Sequence, residues 1–164
     1  MEPRTLEYIA AACGGELQGG APETVATGVS TDSRTVKPGE VFFAVKGEHY
    51  DGHQFLPEVA RKGAAALVVS SEHVLSERID CPLIKVEDSR RTLVALAGRY
   101  RGDYKLTMVA VGGSNGKTST KELLASVLRQ KGLTLWSEAS FNNDIGVPAT
   151  LLRLEGKHQA AVVE

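Results

Sequence analysis

Met108-Val109-Ala110-Val111-Gly112-Gly113-Ser114-Asn115-Gly116-Lys117-Thr118-Ser119 is the stretch that decides the fold class of this 164-residue chain. An apolar, β-prone run feeds a glycine-rich turn, and a helical pattern opens near Lys117. A strand that turns tightly into a helix aims several backbone N–H groups at one spot, where the helix N-terminus adds about half a positive charge. Glycines suit such a turn because a Cβ would block close approach of a phosphate and because some positions need positive φ. Lys117 is then placed to neutralise the β/γ-phosphates, the Thr118 hydroxyl to coordinate Mg²⁺, and Gly113, Ser114, Asn115, Gly116 and Ser119 to complete the nucleotide contact. The common pattern GxxxxGK[ST] has glycine six residues before the lysine, where this chain has Val111. The shorter run Gly113–Thr118 keeps the end that touches phosphate. Alone, the motif specifies a nucleoside triphosphate and leaves the reaction open; its structural alternative is a strand–helix turn with an incidental lysine.

Working outward, strand and helix signals alternate. After Lys117–Lys131 come Gly132, a strand at Leu133–Trp136, a polar loop, a short helix after Pro148 and a strand at Gln159–Val163 ending at Glu164. Before the loop, Thr5 caps a helix to about Ala12, and Val25–Ser30, Val41–Val45, Ala66–Ser70 and Cys81–Val86 read as strands. Helices are expected over His53–Lys62 and, capped by Asp88, to about Arg101. Short glycine turns between alternating β and α elements predict an α/β protein with parallel sheet flanked by helices. The composition shifts at Arg101-Gly102-Asp103-Tyr104, so a first domain is expected over 1–103 and a second over 104–164.

Bulk properties exclude several function classes. Acidic and basic residues nearly cancel, 20 against 19, which gives no general electrostatic grip on nucleic acid or anionic lipid. Residues 1–103 carry 12 basic and 15 acidic side chains and residues 104–164 carry 7 and 5, a tilt that suits an anion site in the second part. Cys13 and Cys81 form no metal-ligand spacing and read as reduced thiols. The N-terminus has no long apolar run, so neither a signal peptide nor a membrane span is expected, and the reading is cytoplasmic.

Three stretches together resemble one family. The loop Gly113-Ser114-Asn115-Gly116-Lys117-Thr118-Ser119, with its doubled hydroxyl, is similar to the form used across the Mur ligase superfamily, in which Val111 is no defect. Phe141-Asn142-Asn143-Asp144-Ile145-Gly146-Val147-Pro148 resembles the segment that marks the MurF type. Thr31-Asp32-Ser33-Arg34, Pro38-Gly39, Val41–Gly47 and Asp51-Gly52-His53 resemble the uridine-nucleotide-binding domain shared by the MurE and MurF types. The resemblance covers nearly the whole chain. One departure is Ala139-Ser140, where the family usually has Gly-Asn.

The resemblance implies a small α/β uridine-nucleotide-binding domain followed by the start of a P-loop, parallel-sheet ATPase domain. It implies ATP-dependent addition of D-alanyl-D-alanine to UDP-N-acetylmuramoyl-tripeptide through an acyl phosphate, with ATP and Mg²⁺ required and a monomeric parent enzyme. Lys117 then acts in catalysis, Asn142 and Asn143 join the nucleotide site, and Thr118 and Glu164 hold the metal. Asp32, Ser33, Arg34, Lys46, Gly47, Asp51 and His53 form the uridine-substrate site. For Asp32-Ser33 the plain alternative is a turn cap, for His53 a neighbour of a helix cap, and for Asn142-Asn143 a turn. The family enzyme has three domains, so the chain is expected to stop early in the second, to lack turnover by itself, and to self-associate through an open sheet edge. Two other readings are a non-catalytic uridine-nucleotide-binding fragment and a generic P-loop NTPase or kinase. A kinase has no need of a hundred residues with a uridine-type loop set ahead of its phosphate loop.

Overall fold

Strands whose two faces are both covered carry continuous apolar runs, and Val41-Phe42-Phe43 and Ala66-Leu67-Val68-Val69 are such runs. A computed structural model describes residues 1–47, 50–75, 78–138 and 142–164. His49, read as an ordinary surface residue, and Ala139, Ser140 and Phe141 lie outside the described residues. Contacts divide the chain into two compact units, Met1–Leu96 and Ala97–Glu164. Helix α3 (Ser89–Gly102) runs across this division, which falls earlier in the chain than the boundary between 103 and 104 expected from composition.

In the first unit, β1 (Arg4–Thr5) and β3 (Val25–Ala26) form a two-residue antiparallel ribbon beside α1 (Leu6–Cys13). The Thr5 hydroxyl accepts from the Tyr8 N–H at 3.2 Å, the cap anticipated from sequence. The main sheet has five strands in the order β2 (Glu16–Gln18), β7 (Leu83–Val86), β6 (Ala66–Ser70), β5 (Glu40–Phe43), β4 (Gly28–Ser30). Four of them are parallel and β2 is an antiparallel edge. Three residues bounded by glycines carry no period, so β2 is created by pairing to β7 rather than by local preference. On one face Phe42, Leu67 and Val69 pack with Val36, Ala44, Leu56 and Val59, the last two from α2 (Leu56–Arg61). Their alternates Phe43, Val68 and Ile84 are equally buried.

The loop after β5 returns sharply. Lys46 bridges Asp51, and the Gly52 N–H donates to the Val45 carbonyl at 3.0 Å. Gly52–Phe55 forms a 3₁₀ turn capped by Asp51, whose carboxylate accepts from the His53 N–H at 3.0 Å and lies 2.6 Å from its Nδ1. The His53 Nε2 accepts the Ser70 N–H at 3.1 Å, which fixes the neutral tautomer with the proton on Nδ1. The imidazole, 6% exposed, thus ties the loop after β5 to the end of β6.

The second unit holds a three-stranded parallel sheet in the order β8 (Thr107–Ala110), β10 (Ala160–Val163), β9 (Thr134–Trp136). All four β10 residues are buried. Helix α4 (Lys117–Arg129) packs on β9 and β10. Helix α5 (Gly146–Leu151) begins two residues before Pro148, not after it, because the first turn has no need of the N–H that proline lacks. The C-terminal turn of α3 is held by Tyr100, whose hydroxyl donates to the Leu154 carbonyl at 2.7 Å and accepts from Tyr104 at 2.6 Å.

Two stability predictions follow from these ties. His53→Ala strands a Ser70 N–H and opens a gap, so urea unfolding of the chain should lose about 3 kcal/mol. His73→Ala, which removes only the ring stacked on His53 at 4.3 Å, should cost less than about 1 kcal/mol; equal costs would show that the His53 tie carries no special weight. Tyr100→Phe should lower stability by about 1–2 kcal/mol, read by thermal melting, because the buried Leu154 carbonyl loses its donor.

Candidate functional site

The phosphate-loop residues lie where the parallel strands of the second unit end. The Val111 N–H donates to the Val163 carbonyl at 2.8 Å, carrying the β8–β10 pairing one residue past the strand. The chain then turns through Gly113 at φ 142° and Gly116 at φ 75°, conformations that side chains with a Cβ rarely adopt. A Cβ built on Gly112, Gly113 or Gly116 meets no atom of the described residues within 4 Å, so among them these glycines leave open space over the loop rather than making room for protein. No side chain caps α4 at Gly116, which leaves the N–H groups of its first turn directed at that space. Gly113, Ser114, Asn115, Gly116, Thr118 and Ser119 are exposed, and Lys117 is half-buried.

Glu164 follows β10 directly and brings distant segments together. Its Oε2 accepts from Thr118 Oγ1 at 3.1 Å and its Oε1 from Asn142 Nδ2 at 3.1 Å. Its backbone N–H donates to the buried Ser137 Oγ at 3.2 Å. The Lys121 ammonium lies 3.9 Å from Oε2, with 0% of the lysine and 2% of the Glu164 side chain exposed. Asn143 behaves differently from Asn142. Its Oδ1 accepts from the Ile145 and Gly146 N–H groups at 3.2 and 2.7 Å, which starts α5. Of the pair, Asn142 faces the carboxylate and Asn143 shapes the turn.

In the first unit the other candidates gather at the carboxyl ends of β4 and β5, where open parallel sheets present ligand-binding loops. Arg34 forks onto Asp32 through Nε at 2.9 Å and Nη2 at 2.6 Å, and both are solvent-facing. The Arg34 side chain, then its backbone N–H, hold the Asp32 carboxyl down at about 2. Ser33 is buried, and its carbonyl accepts from Lys62 Nζ at 2.6 Å. Lys46 and Gly47 are exposed on the loop described above. Burial pushes the Asp51 carboxyl up, but the backbone and ring N–H of His53, together with the nearby Lys46 charge, outweigh it and leave the carboxyl lowered. His53 has both ring nitrogens engaged inside the fold.

Four contributors were not legible in the sequence. Lys62 pins the Ser33 loop, Ser89 Oγ donates to the Ala44 carbonyl at 2.6 Å beside the β5 loop, and Ser137 and Lys121 hold Glu164. Only Lys121 left a signal, four residues after Lys117 and so on the same helical face. Among the described residues no group of three or more His, Cys, Asp or Glu side chains forms a metal cluster, and no helix is long and apolar enough to cross a membrane.

Comparison with known proteins agrees with this geometry. Residues 25–101 match the family model of the Mur ligase catalytic domain, and residues 111–164 match that of the Mur ligase middle domain. The UDP-N-acetylmuramoyl-tripeptide–D-alanyl-D-alanine ligase of Escherichia coli (strain K12) is 42% identical over 160 residues, covering 98% of this chain and 34% of that protein. The Bacillus subtilis (strain 168) ligase of the same name is 34% identical, covering 100% of this chain and 36% of its own length. The chain therefore spans about a third of the curated relatives it matches. Among solved structures, MurF from Acinetobacter baumannii superposes with a TM-score of 0.91 at 35% identity, covering all of this chain and 36% of that one. MurF from Thermotoga maritima, solved in complex with ADP, gives 0.72 at 36% identity, covering 84% of this chain and 31% of that one. With two family models matched in sequence order and a glycine-rich strand–helix turn opening α4, the chain belongs to the Mur ligase family and is similar over its length to the MurF type.

Proposed function

We propose that this chain carries the uridine-substrate and ATP-binding parts of a ligase that adds D-alanyl-D-alanine to UDP-N-acetylmuramoyl-tripeptide during peptidoglycan precursor synthesis. The observation that carries the reading is the meeting of Thr118, Asn142 and Glu164 at the end of β10, beside the uncapped start of α4. A loop with open space over its glycines, a helix N-terminus and a lysine suit a triphosphate, and an adjacent carboxylate–hydroxyl pair suits the cation that accompanies it.

The residues fit a divalent cation such as Mg²⁺. Thr118 and Glu164 offer only oxygen ligands, and the Thr118 proton already points to Glu164 Oε2, which leaves the hydroxyl lone pairs for a metal. Such a cation, when bound, offsets charge on the β/γ-phosphates. Mg²⁺ commonly uses one or two protein oxygens together with phosphates and water, so a larger ligand cluster is not required. Lys117 and the first-turn N–H groups of α4 hold the phosphate tail and stabilise the charge that develops as a substrate carboxylate attacks the γ-phosphate, the bond to the β–γ bridging oxygen breaks and ADP leaves. The acyl phosphate so formed is consumed by the amine of D-alanyl-D-alanine, which forms the amide and releases phosphate. Asn142 adds a neutral donor that fixes Glu164 without adding charge.

In the first unit, Arg34 is held in a fixed plane by Asp32 and presents remaining N–H groups to a diphosphate. Ser33, Lys46 and Gly47 line the same edge of the sheet, while Asp51 and His53 act by holding the Lys46 loop in shape. A generic kinase reading accounts for the second unit and leaves this edge of the first without a purpose.

Titration calorimetry of the 164-residue chain separates the two sites. Lys117→Ala should weaken ATP binding at least tenfold and leave the affinity for UDP-N-acetylmuramoyl-tripeptide within twofold. Arg34→Ala should do the reverse. ATP binding with no affinity for any uridine nucleotide would reject the ligase reading in favour of a plain nucleotidase or kinase.

A further inference from the structure

A lysine with no exposed side-chain surface is an unusual component of a phosphate-binding unit, because burying an ammonium is costly unless its charge is answered nearby. Lys121 is such a residue. It lies one helical turn beyond Lys117, but its side chain is fully covered whereas Lys117 is half-buried. Its ammonium lies 3.2 Å from Glu122 Oε1 and 3.9 Å from Glu164 Oε2. Being fully buried, it cannot take over the phosphate contact assigned to Lys117.

The Glu164 carboxylate offers about four lone-pair positions. The Thr118 hydroxyl uses one on Oε2 and the Asn142 amide one on Oε1. At 3.9 Å Lys121 is beyond hydrogen-bond range, so it attracts Oε2 without occupying a lone pair. Two directional bonds and one non-directional charge therefore fix the carboxylate and leave lone pairs for a further ligand. We propose that Lys121 is a positioning residue for the cation site. Its buried charge holds Glu164 beside Thr118, so that a divalent cation and the nucleotide phosphates meet a preset carboxylate. The inference rests on the reading of Thr118 and Glu164 as the cation pair. Lys121 also repels a bound cation, so the balance between repulsion and preorganisation is what an experiment decides.

The readout is the ratio of ATP dissociation constants measured calorimetrically in EDTA and in excess Mg²⁺, using the whole 164-residue chain. Wild type should bind ATP more tightly with Mg²⁺. Lys121→Met, similar in shape and uncharged, should keep the EDTA affinity within twofold and lose about tenfold of the Mg²⁺ enhancement, the usual scale for an outer-sphere partner of a metal ligand. Lys121→Arg should restore most of it. An unchanged ratio in a folded Lys121→Met variant overturns the proposal, and so does a larger one, since repulsion would then dominate. If Lys121→Met fails to fold by circular dichroism, the double variant Lys121→Met/Glu164→Gln decides. Recovery of the fold on removing both charges supports action through Glu164, and a chain that stays unfolded assigns Lys121 to the core alone and rejects the inference. Absence of any Mg²⁺ enhancement in wild type fails differently, because it removes the cation pair itself.

Discussion

A carboxylate at the end of a buried parallel strand must be held by donors or it disrupts the sheet beside it, and the second unit is organised around meeting that demand for Glu164. Its oxygens gather Thr118 from the first turn of α4 and Asn142 from the loop before α5, while its backbone N–H reaches Ser137 beyond β9. These residues are separated by as many as 46 positions in sequence. The strand order β8-β10-β9 makes the meeting possible, since β10 lies between the strands that lead to the phosphate loop and to Ser137. The loop glycines and the uncapped helix start have the makings of an anion site by themselves; the carboxylate sets a fixed negative group beside them.

The first unit solves a different problem with related means. Its loops at the carboxyl ends of β4 and β5 must keep a fixed shape while remaining exposed. Each is tied from below by a polar group acting on backbone: Lys62 on the Ser33 carbonyl, Ser89 on the Ala44 carbonyl, and His53 on the Ser70 N–H. Arg34 and Lys46 are thereby left at the surface on well-anchored segments. Charge is presented outward and polar rigidity is kept inside.

Much of this was legible in the sequence, and the failures have physical causes. The glycine-rich turn ahead of α4, the Thr5 and Asp88 caps, the strand Ala66–Ser70 and, two residues shorter than the Cys81–Val86 expected, the strand Leu83–Val86 are local features written in glycine placement, cap chemistry and apolar runs. The strand Glu16–Gln18 was not read, because it exists only through pairing with Leu83–Lys85. Helix α5 starts before Pro148 rather than after it, because a proline that reads as a boundary in sequence occupies a permitted first-turn position in the fold. Among site residues, those recognised by motif were named, but motifs do not assign tasks: His53 and Asn143 spend acceptor atoms on the fold itself, and Ser33 is covered. Ser137 and Lys62 carry no local signature, because what they do depends on which strand end or loop lies opposite.

The central position of β10 has a consequence for how the second unit comes into being. Among the described residues its strands β8 and β9 do not pair with each other; both pair with β10, which follows them in sequence. During synthesis the ribosome delivers the glycine-rich turn and α4 well before residues 160–163, so β8 and β9 must wait for β10 to emerge before it can slot between them. The turn between β8 and α4 is therefore completed late in the life of the polypeptide, because β10, the strand with which β8 and β9 both pair, emerges after it.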